Sequence, residues 1–354
     1  MVSLPSKALE GNPLGDPATR DLPVLLPPGY SSDPSRRYPV LYGLGGFTGR
    51  GVQMLNIDPW QPNLARRLEQ LYAAGMPHAI VVLPDCFTTL GGSQYINSDA
   101  VGRYEDYVVE EIVSFVDREY RTIPGPEGRA VFGKSSGGYG AMVLGMRHPD
   151  VFGALACHSG DMWFELCYKP DFPKACNALN AAGGLEAWWE AFKGRVKKTN
   201  SDFDVLNLLA MSACYSPGSD GFMGIDLPVD PYTCKLKEDV WRRWLDHDPV
   251  MMAPRHAANL RRLRLVYMDC GTRDEFNLHF GARILSQTLA ALDVPHVHEE
   301  FDDTHMSIQY RYSVSLPKLL DALQGSGIGD QGSGVGADRS PIPDPRSPIP
   351  TLEA

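Results

Sequence analysis

Apolar and polar residues alternate with two different periods along much of this chain. Short runs of apolar and β-branched residues predict strands, and several runs are apolar throughout, as in strands covered on both faces. The predicted strands are Leu22–Leu26, Pro39–Tyr42, His78–Leu83, Arg129–Phe132, Ala154–His158, Arg264–Met268 and His296–Phe301. Spacings of three and four residues predict helices at Asn63–Ala74, Tyr104–Tyr120, Gly138–Arg147, Asn277–Leu292 and Ser307–Leu323. This order predicts an α/β fold, with a doubly wound, mostly parallel sheet and helices on both faces.

Two segments depart from the alternation. Residues 162–259 hold five of the six tryptophans, and we expect a helical, lid-like insertion there. Residues 324–354 repeat Gly-Ser-Gly and Ser-Pro-Ile-Pro patterns, a composition typical of disorder. The expected organisation is an N-terminal extension at 1–20, one domain at 21–323 that contains the insertion, and a disordered tail at 324–354.

Composition restricts the class of partner. The 354 residues include 43 acidic and 33 basic side chains, and this net charge of −10 argues against nucleic-acid and anionic-membrane partners. The sequence contains no run of 18 apolar residues that would predict a membrane span. It also contains no basic segment followed by an apolar run that would predict a signal peptide. The seven cysteines are irregularly spaced, which favours free thiols. We expect a cytoplasmic protein without a metal or cofactor.

Residues 128–137 satisfy two motifs that imply different chemistry. Gly128 to Ser135 matches the phosphate-binding loop G-x-x-x-x-G-K-[ST], whereas Gly133 to Gly137 matches the nucleophile elbow G-x-S-x-G. A phosphate-binding loop follows a strand, but here the predicted strand lies between its two glycines. An elbow requires this order of strand, sharp turn and helix. We therefore favour Ser135 as a nucleophile, and a nucleotide-binding P-loop protein is the alternative of a different class.

A serine nucleophile needs a histidine to take its proton and a carboxylate to orient that histidine. In the topology typical of the elbow, the acid and then the histidine follow late strands. His305 follows the last predicted strand and is the expected base. Asp274, in the loop after the preceding strand, is the expected acid, and Glu275 and Asp269 are alternatives.

Each candidate also has a structural interpretation. Asp274 is equally suited to the first turn of a helix, where its charge complements the helix dipole. His296 and His298 alternate on a strand without a third ligand at a clear spacing, so we interpret both as structural. His148 is placed to complement a helix C-terminus, and His158 to pack near the site.

Backbone donors for a developing oxyanion are expected in two places. The glycine-rich segment 43–46 follows the second predicted strand, and there the Phe47 N–H is the expected donor, with Gly46 as its alternative. Ser136, directly after the nucleophile, supplies the second donor. Tyr95, in a segment that follows a strand, and Trp163 of the insertion are candidate substrate-binding residues.

Several local sequences resemble a known family. They are Leu26–Tyr30, Tyr38–Tyr42, Gly45–Phe47, Glu111–Thr122, Gly133–Gly138 and His148–Phe152. Together they resemble the putative-esterase family of the α/β-hydrolase superfamily, which includes esterase D (S-formylglutathione hydrolase), feruloyl esterases, enterobactin esterases and mycolyltransferases. The resemblance covers roughly residues 20–160 and 260–320.

This resemblance implies an α/β-hydrolase fold and a Ser135–His305–Asp274 triad, and it favours Asp274 over Glu275. Leu44 stands where the family often has histidine, and the long insertion prevents any transfer of substrate choice. The predicted function is hydrolysis of small carboxylic esters through an acyl-enzyme. An acyltransferase that uses the same acyl-enzyme is the alternative, and the identity of both ester halves and homo-oligomer formation are left open.

Overall fold

A computed structural model describes residues 1–219 and 221–325. Its strands are β1 (Val2–Pro5), β2 (Thr19–Leu22), β3 (Val24–Leu25), β4 (Val40–Leu44), β5 (Ile80–Val82), β6 (Asn97–Ser98), β7 (Gly102–Arg103), β8 (Arg129–Lys134), β9 (Ala154–His158), β10 (Leu265–Gly271) and β11 (Val297–Phe301). From residue 326 onward, the predicted disordered tail lies outside the described residues.

The helices fill the intervals between the strands and continue through the segment after β9. They are α1 (Leu64–Ala73), α2 (Tyr104–Asp106), α3 (Val113–Glu119), α4 (Ser136–Arg147), α5 (Phe164–Cys167), α6 (Phe172–Ala182), α7 (Leu185–Gly194), α8 (Asn200–Tyr215), α9 (Glu238–Leu245), α10 (Pro249–Leu260), α11 (Leu278–Ala291) and α12 (Tyr312–Leu323). A π-helical stretch, Tyr107–Ile112, joins α2 to α3. Short 3₁₀ helices lie at Gly51–Leu55, Pro126–Gly128, Lys169–Asp171, Phe222–Gly224 and Ile308–Arg311.

The central sheet has seven strands in the order β11-β10-β9-β8-β4-β5-β3. Every neighbouring pair is parallel except β3 and β5, which pair antiparallel at one edge. The carboxyl ends of β4, β8, β9 and β10 therefore meet at one edge of the sheet, where ligands bind in open α/β sheets. The mixed α/β class and mostly parallel sheet are confirmed.

Helices cover both faces of this sheet. On one face α1 and α12 bury Leu64, Leu68 and Leu316 against alternate residues of the strands, among them Phe132 of β8. On the other face the buried side chains of α4, α10 and α11 pack on the remaining strand positions in a second apolar cluster. Strands whose side chains are buried on both sides explain the continuous apolar runs in the sequence.

The described residues of the segment 162–259 are mostly helical and include α-helices α5 to α10. Trp188, Trp241 and Trp244 are buried, and the last two pack with ring centroids 5.6 Å apart. Their side chains belong to the same apolar cluster as Tyr42 and Leu155 of the sheet. The insertion therefore shares the core of the sheet and does not enclose a core of its own.

Residues 1–20 are ordered and packed on the domain. Strand β1 pairs antiparallel with β2, from Val2 opposite Leu22 to Pro5 opposite Thr19. Leu9 is fully buried in the large apolar cluster. Within the described residues, no helix is both long and apolar enough to cross a membrane.

Candidate active site

The sharp turn between β8 and α4 holds Ser135 in a conformation that non-glycine residues seldom adopt. Its φ of 59° and ψ of −128° are those of a strained strand-to-helix turn. The Ser135 N–H donates to the His158 carbonyl at 2.9 Å, and the Ser135 carbonyl accepts from the Tyr139 N–H at 2.8 Å. Backbone bonds on both sides thus hold the turn in place.

Close packing of backbone requires glycine on either side of Ser135. A Cβ on Gly133 would lie 2.4 Å from the Gly137 carbonyl carbon, and a Cβ on Gly137 would lie 2.2 Å from the Leu44 oxygen. The residues between Gly128 and Gly133 form strand β8. They therefore cannot wrap a phosphate, and the P-loop alternative is wrong for this segment.

The predicted acid and base are paired. The Nδ1 atom of His305 lies 2.8 Å from Oδ2 of Asp274, and each residue is only 3% exposed. Burial alone would raise the pKa of Asp274, but the hydrogen bond and charge of His305 lower it below its ordinary value. Asp274 Oδ1 also accepts from the Phe276 N–H at 2.9 Å.

The two alternative acids have other partners. Glu275 accepts from the backbone N–H of His305 at 2.6 Å, so it positions the loop rather than the ring. Asp269 lies 2.7 Å from Nδ1 of His158, whose Nε2 is 2.8 Å from Oγ of Ser315. His158 and Ser315 are fully buried, so this second Ser-His-Asp arrangement has no access for a substrate.

Ser135 and His305 line one cavity of about 500 Å³ at the carboxyl edge of the sheet. Phe276 packs edge-on against the His305 ring, with centroids 4.8 Å apart. Since Nδ1 of His305 is bonded to Asp274, its Nε2 is the ring nitrogen left for a proton from a nucleophile or leaving group. Phe47, Ser136 and Asp161 line the same cavity.

The residues expected to supply the two oxyanion donors, Phe47 and Ser136, line the same cavity as Ser135. Ser136 is the first residue of α4, and N–H groups in a first helical turn have no partner within the helix. The turn at Phe47 is held by the Thr48 N–H, which donates to Gly91 O at 2.9 Å, and by the Gly49 N–H, which donates to Gly46 O at 2.9 Å. The Phe47 N–H itself donates to no acceptor among the described residues.

Tyr95 and Trp163 do not line this cavity, which corrects their expected contact with substrate. Tyr95 is buried next to the glycine-rich turn that precedes Phe47, and its hydroxyl donates to Gly45 O at 2.6 Å. Trp163 lies directly before α5, its backbone N–H donates to Asp248 Oδ1 at 3.0 Å, and its side chain packs on the core. Both side chains therefore pack within the protein around the site and do not form part of the cavity wall.

Several cavity residues were not predicted. Asp161 follows β9 at the same sheet edge as the nucleophile, so its position after a buried strand was an available signal. Phe203 and Asn207 come from α8 in the insertion, and Arg67 comes from α1. Because these helices reach the site only through tertiary packing, local sequence patterns carried no signal for them.

No cluster of three or more potential metal-ligating side chains occurs in residues 1–219 and 221–325. His296, one half of the His-x-His pair, has its ring nitrogens 2.8 Å from Ser286 Oγ and 2.9 Å from Val294 O. These contacts agree with the structural interpretation of that histidine.

The fold matches solved α/β-hydrolase structures. A ferulic acid esterase superposes with a TM-score of 0.61 at 20% identity, over 91% of this chain and 96% of the other. An S-formylglutathione hydrolase from Agrobacterium tumefaciens superposes with a TM-score of 0.55 at 15% identity, over 91% and 94%. At these identities the likeness establishes the fold, and the chain is an α/β-hydrolase-fold protein.

Sequence comparison adds the family. The family model described as "Putative esterase" matches residues 17–307, so the chain belongs to that family. The Mycobacterium tuberculosis (strain H37Rv) protein named esterase Rv1288 is 32% identical over 144 residues, which cover 39% of this chain and 28% of that protein. The chain spans 52 to 58% of the length of other curated relatives that it matches.

Proposed function

We propose that this protein is a serine hydrolase of carboxylic esters that works through an acyl-enzyme. The observation that carries the proposal is that a strained Ser135 and His305, the buried partner of Asp274, line one cavity of about 500 Å³. Family membership and the esterases among its structural neighbours support the same reaction class.

In the proposed mechanism, Ser135 Oγ attacks the acyl carbon while His305 Nε2 takes the hydroxyl proton. The Asp274 carboxylate fixes the ring through Nδ1 and stabilises the imidazolium as it forms. The backbone N–H groups of Phe47 and Ser136 hold the oxyanion. His305 then returns the proton to the leaving alcohol, and a water molecule activated by the same ring cleaves the acyl-enzyme.

Replacing Ser135 tests this proposal. Ser135→Ala should lower kcat for a chromogenic short-chain ester by about 10³-fold or more, because triad members act as a unit. A fluorophosphonate probe should label the unaltered protein at Ser135 and should not label the variant. Ser114→Ala, on the exposed side of α3, is the matched control and should hydrolyse and label normally.

Wild-type turnover by Ser135→Ala, or probe attachment to another residue, would contradict the proposal. Product analysis in the presence of added alcohol completes the experiment. Free acid as the main product supports hydrolysis, whereas a new ester as the main product would assign the same acyl-enzyme to acyl transfer.

A further inference from the structure

Residues 91–95 form a turn that is largely buried and does not line the cavity. Within it, Gln94 and Tyr95 are 1% and 5% exposed, and both have left-handed backbone, with φ values of 50° and 58°. This conformation is costly for two consecutive residues that are not glycine, and it persists only where surrounding contacts impose it. The contacts of the turn therefore indicate what it does.

Hydrogen bonds from this turn hold the backbone on both sides of Phe47. The Tyr95 hydroxyl donates to Gly45 O at 2.6 Å, two residues before Phe47. Directly after Phe47, the Thr48 N–H donates to Gly91 O at 2.9 Å. The turn also packs on the Phe47 ring, since a Cβ on Gly91 would lie 2.8 Å from Phe47 Cε2. The position of the first expected oxyanion donor therefore depends on this turn.

The side chain of Gln94 connects the same turn to the second expected donor. Gln94 Nε2 donates to Asp161 Oδ2 at 3.0 Å, and the Ser136 hydroxyl donates to the same oxygen at 3.2 Å. The Tyr168 hydroxyl donates to it as well, at 2.9 Å. Asp161 therefore joins Gln94 to the first residue of α4, whose backbone N–H is the expected second donor.

A common support matters because an oxyanion site depends on the separation of its two donors. The donors act when they are held about 2.7–3.1 Å from the position of the developing oxyanion. Phe47 follows β4 and Ser136 follows β8, so no single local turn fixes the distance between them. Residues 91–95 are linked to both, through Tyr95 on one side and Gln94 on the other.

We propose that Gln94 and Tyr95 are positioning residues that together set the separation of the two backbone donors of the oxyanion site, from a turn outside the cavity. This inference rests on the proposed ester hydrolysis and adds two residues that support its oxyanion site. The donors bind the oxyanion only as it develops. Their displacement should therefore lower kcat and leave KM nearly unchanged.

Tyr95→Phe tests the first half of this support, because it removes only the hydroxyl and keeps the packed ring. We expect kcat for a chromogenic short-chain ester to fall about 10- to 100-fold, with KM within about threefold of the wild-type value. The matched control is Tyr72→Phe. It removes another hydroxyl that donates to a backbone carbonyl, from Tyr72 to Ala79 O at 2.9 Å, and neither residue lines the cavity. This control should keep the wild-type kcat.

Binding of a transition-state analogue separates a positioning role from a purely structural one. Ser135 Oγ adds to the carbonyl of a short-chain alkyl trifluoromethyl ketone, and His305 takes the serine proton as the tetrahedral oxyanion forms. The Ki of this inhibitor should rise in Tyr95→Phe by the factor by which kcat/KM falls, within about threefold. A smaller fraction of folded protein would lower the rate but would leave the Ki of the remaining enzyme unchanged.

Ser136→Ala tests the second half, because it removes the hydroxyl bonded to Asp161 and keeps the backbone N–H. We expect kcat to fall about 3- to 10-fold with KM unchanged. Gln94→Met interrupts the same connection through Asp161. The double variant should therefore have the kcat of Gln94→Met alone, within about twofold.

The inference would be overturned by a wild-type kcat in Tyr95→Phe, by a rise in KM in place of a fall in kcat, or by an unchanged Ki. A wild-type kcat in Ser136→Ala would also overturn it, and this variant decides the case if Tyr95→Phe does not fold. In each of these outcomes the wild-type protein still hydrolyses esters, so only this inference fails. If the wild-type protein hydrolyses no ester and Ser135 is not labelled, the proposed function fails.

Discussion

His305 and His158 each pair with an aspartate, and access to solvent distinguishes the two pairs chemically. The His305–Asp274 pair borders the cavity, and one ring nitrogen of His305 is left for proton transfer. Both ring nitrogens of His158 are occupied, by Asp269 and Ser315, in a site with no exposed surface. The first pair is suited to catalysis and the second to stability.

Substituting each aspartate by asparagine should separate these roles. Asp274→Asn should lower kcat by about 10³- to 10⁴-fold, because asparagine cannot hold the imidazole in the working tautomer, and it should lower thermal stability less than Asp269→Asn does. Asp269→Asn leaves His158 and Arg311 without a buried carboxylate, and it should lower the free energy of unfolding by about 3–5 kcal/mol.

Ester turnover and thermal unfolding measured on both variants test the separation. Asp269→Asn should keep activity within about tenfold when assayed well below its melting temperature. The assignment of roles would be reversed if Asp269→Asn were folded but inactive and Asp274→Asn were active but unstable.

At the scale of elements, a π-helical segment anchors the N-terminal strand pair. Glu111 lies in the stretch between α2 and α3, where its side chain accepts from the N–H groups of Lys7 at 2.9 Å and Ala8 at 3.0 Å. The Ser6 hydroxyl also donates to this carboxylate. One side chain therefore holds the segment that carries β1 against the domain.

Glu111→Ala should release this segment. Losing three hydrogen bonds to one carboxylate should lower the free energy of unfolding by about 2–4 kcal/mol and expose residues 1–20 to limited proteolysis. Glu110→Ala, at the neighbouring exposed position, is the control and should resist proteolysis like the unaltered protein. Equal cleavage rates in the two variants would show that Glu111 does not anchor the segment.

For the whole molecule, acid stability depends on two opposing groups of buried carboxylates. Burial would raise the pKa values of Glu105, Asp269 and Asp274, but paired histidine and arginine side chains lower all three. Burial raises the pKa of Asp161 and Asp248, and their hydrogen bonds do not fully offset it. When they are ionised, the three carboxylates with lowered pKa values stabilise the folded protein, whereas Asp161 and Asp248 destabilise it.

The pH dependence of unfolding follows from these signs. Stabilisation by the lowered group is fully present above the ordinary values of 3.8 for aspartate and 4.5 for glutamate, and it is lost as pH falls through the lower folded values. Because the pKa values of Asp161 and Asp248 are raised, these two groups become protonated at a higher pH than the first three, and their destabilising effect is removed there. The urea midpoint should therefore not decrease from pH 7 to about 5, and it should fall steeply below about 3.8.

Urea denaturation across this pH range measures the effect, with Asp269→Asn as the comparison. That variant should show a shallower acid fall, since it lacks one of the carboxylates with a lowered pKa. A midpoint that stayed constant down to pH 2.5 would contradict this account.

Local patterns in the sequence were sufficient for the elements of the sheet. The predicted strand Ala154–His158 has the observed bounds, and Arg129–Phe132 is extended by two residues in β8. Helix α4 begins at Ser136, two residues before its predicted start, because the elbow turns at Ser135 itself. A strand that is buried on both faces has apolar residues at consecutive positions, so these elements could be predicted from a few neighbouring residues of the sequence.

The sequence by itself determined the elbow, its order relative to a late acid and histidine, and the class of fold. Only the tertiary structure shows that Asp274, rather than Asp269 or Glu275, pairs with the ring of His305, because all three occur on or just after one strand and differ in which distant group they contact. It also buried Tyr95 and brought Asp161 to the cavity. Contacts between residues that are far apart in the sequence are determined by strand order and helix packing. Strand order and helix packing depend on the whole core rather than on any local sequence pattern.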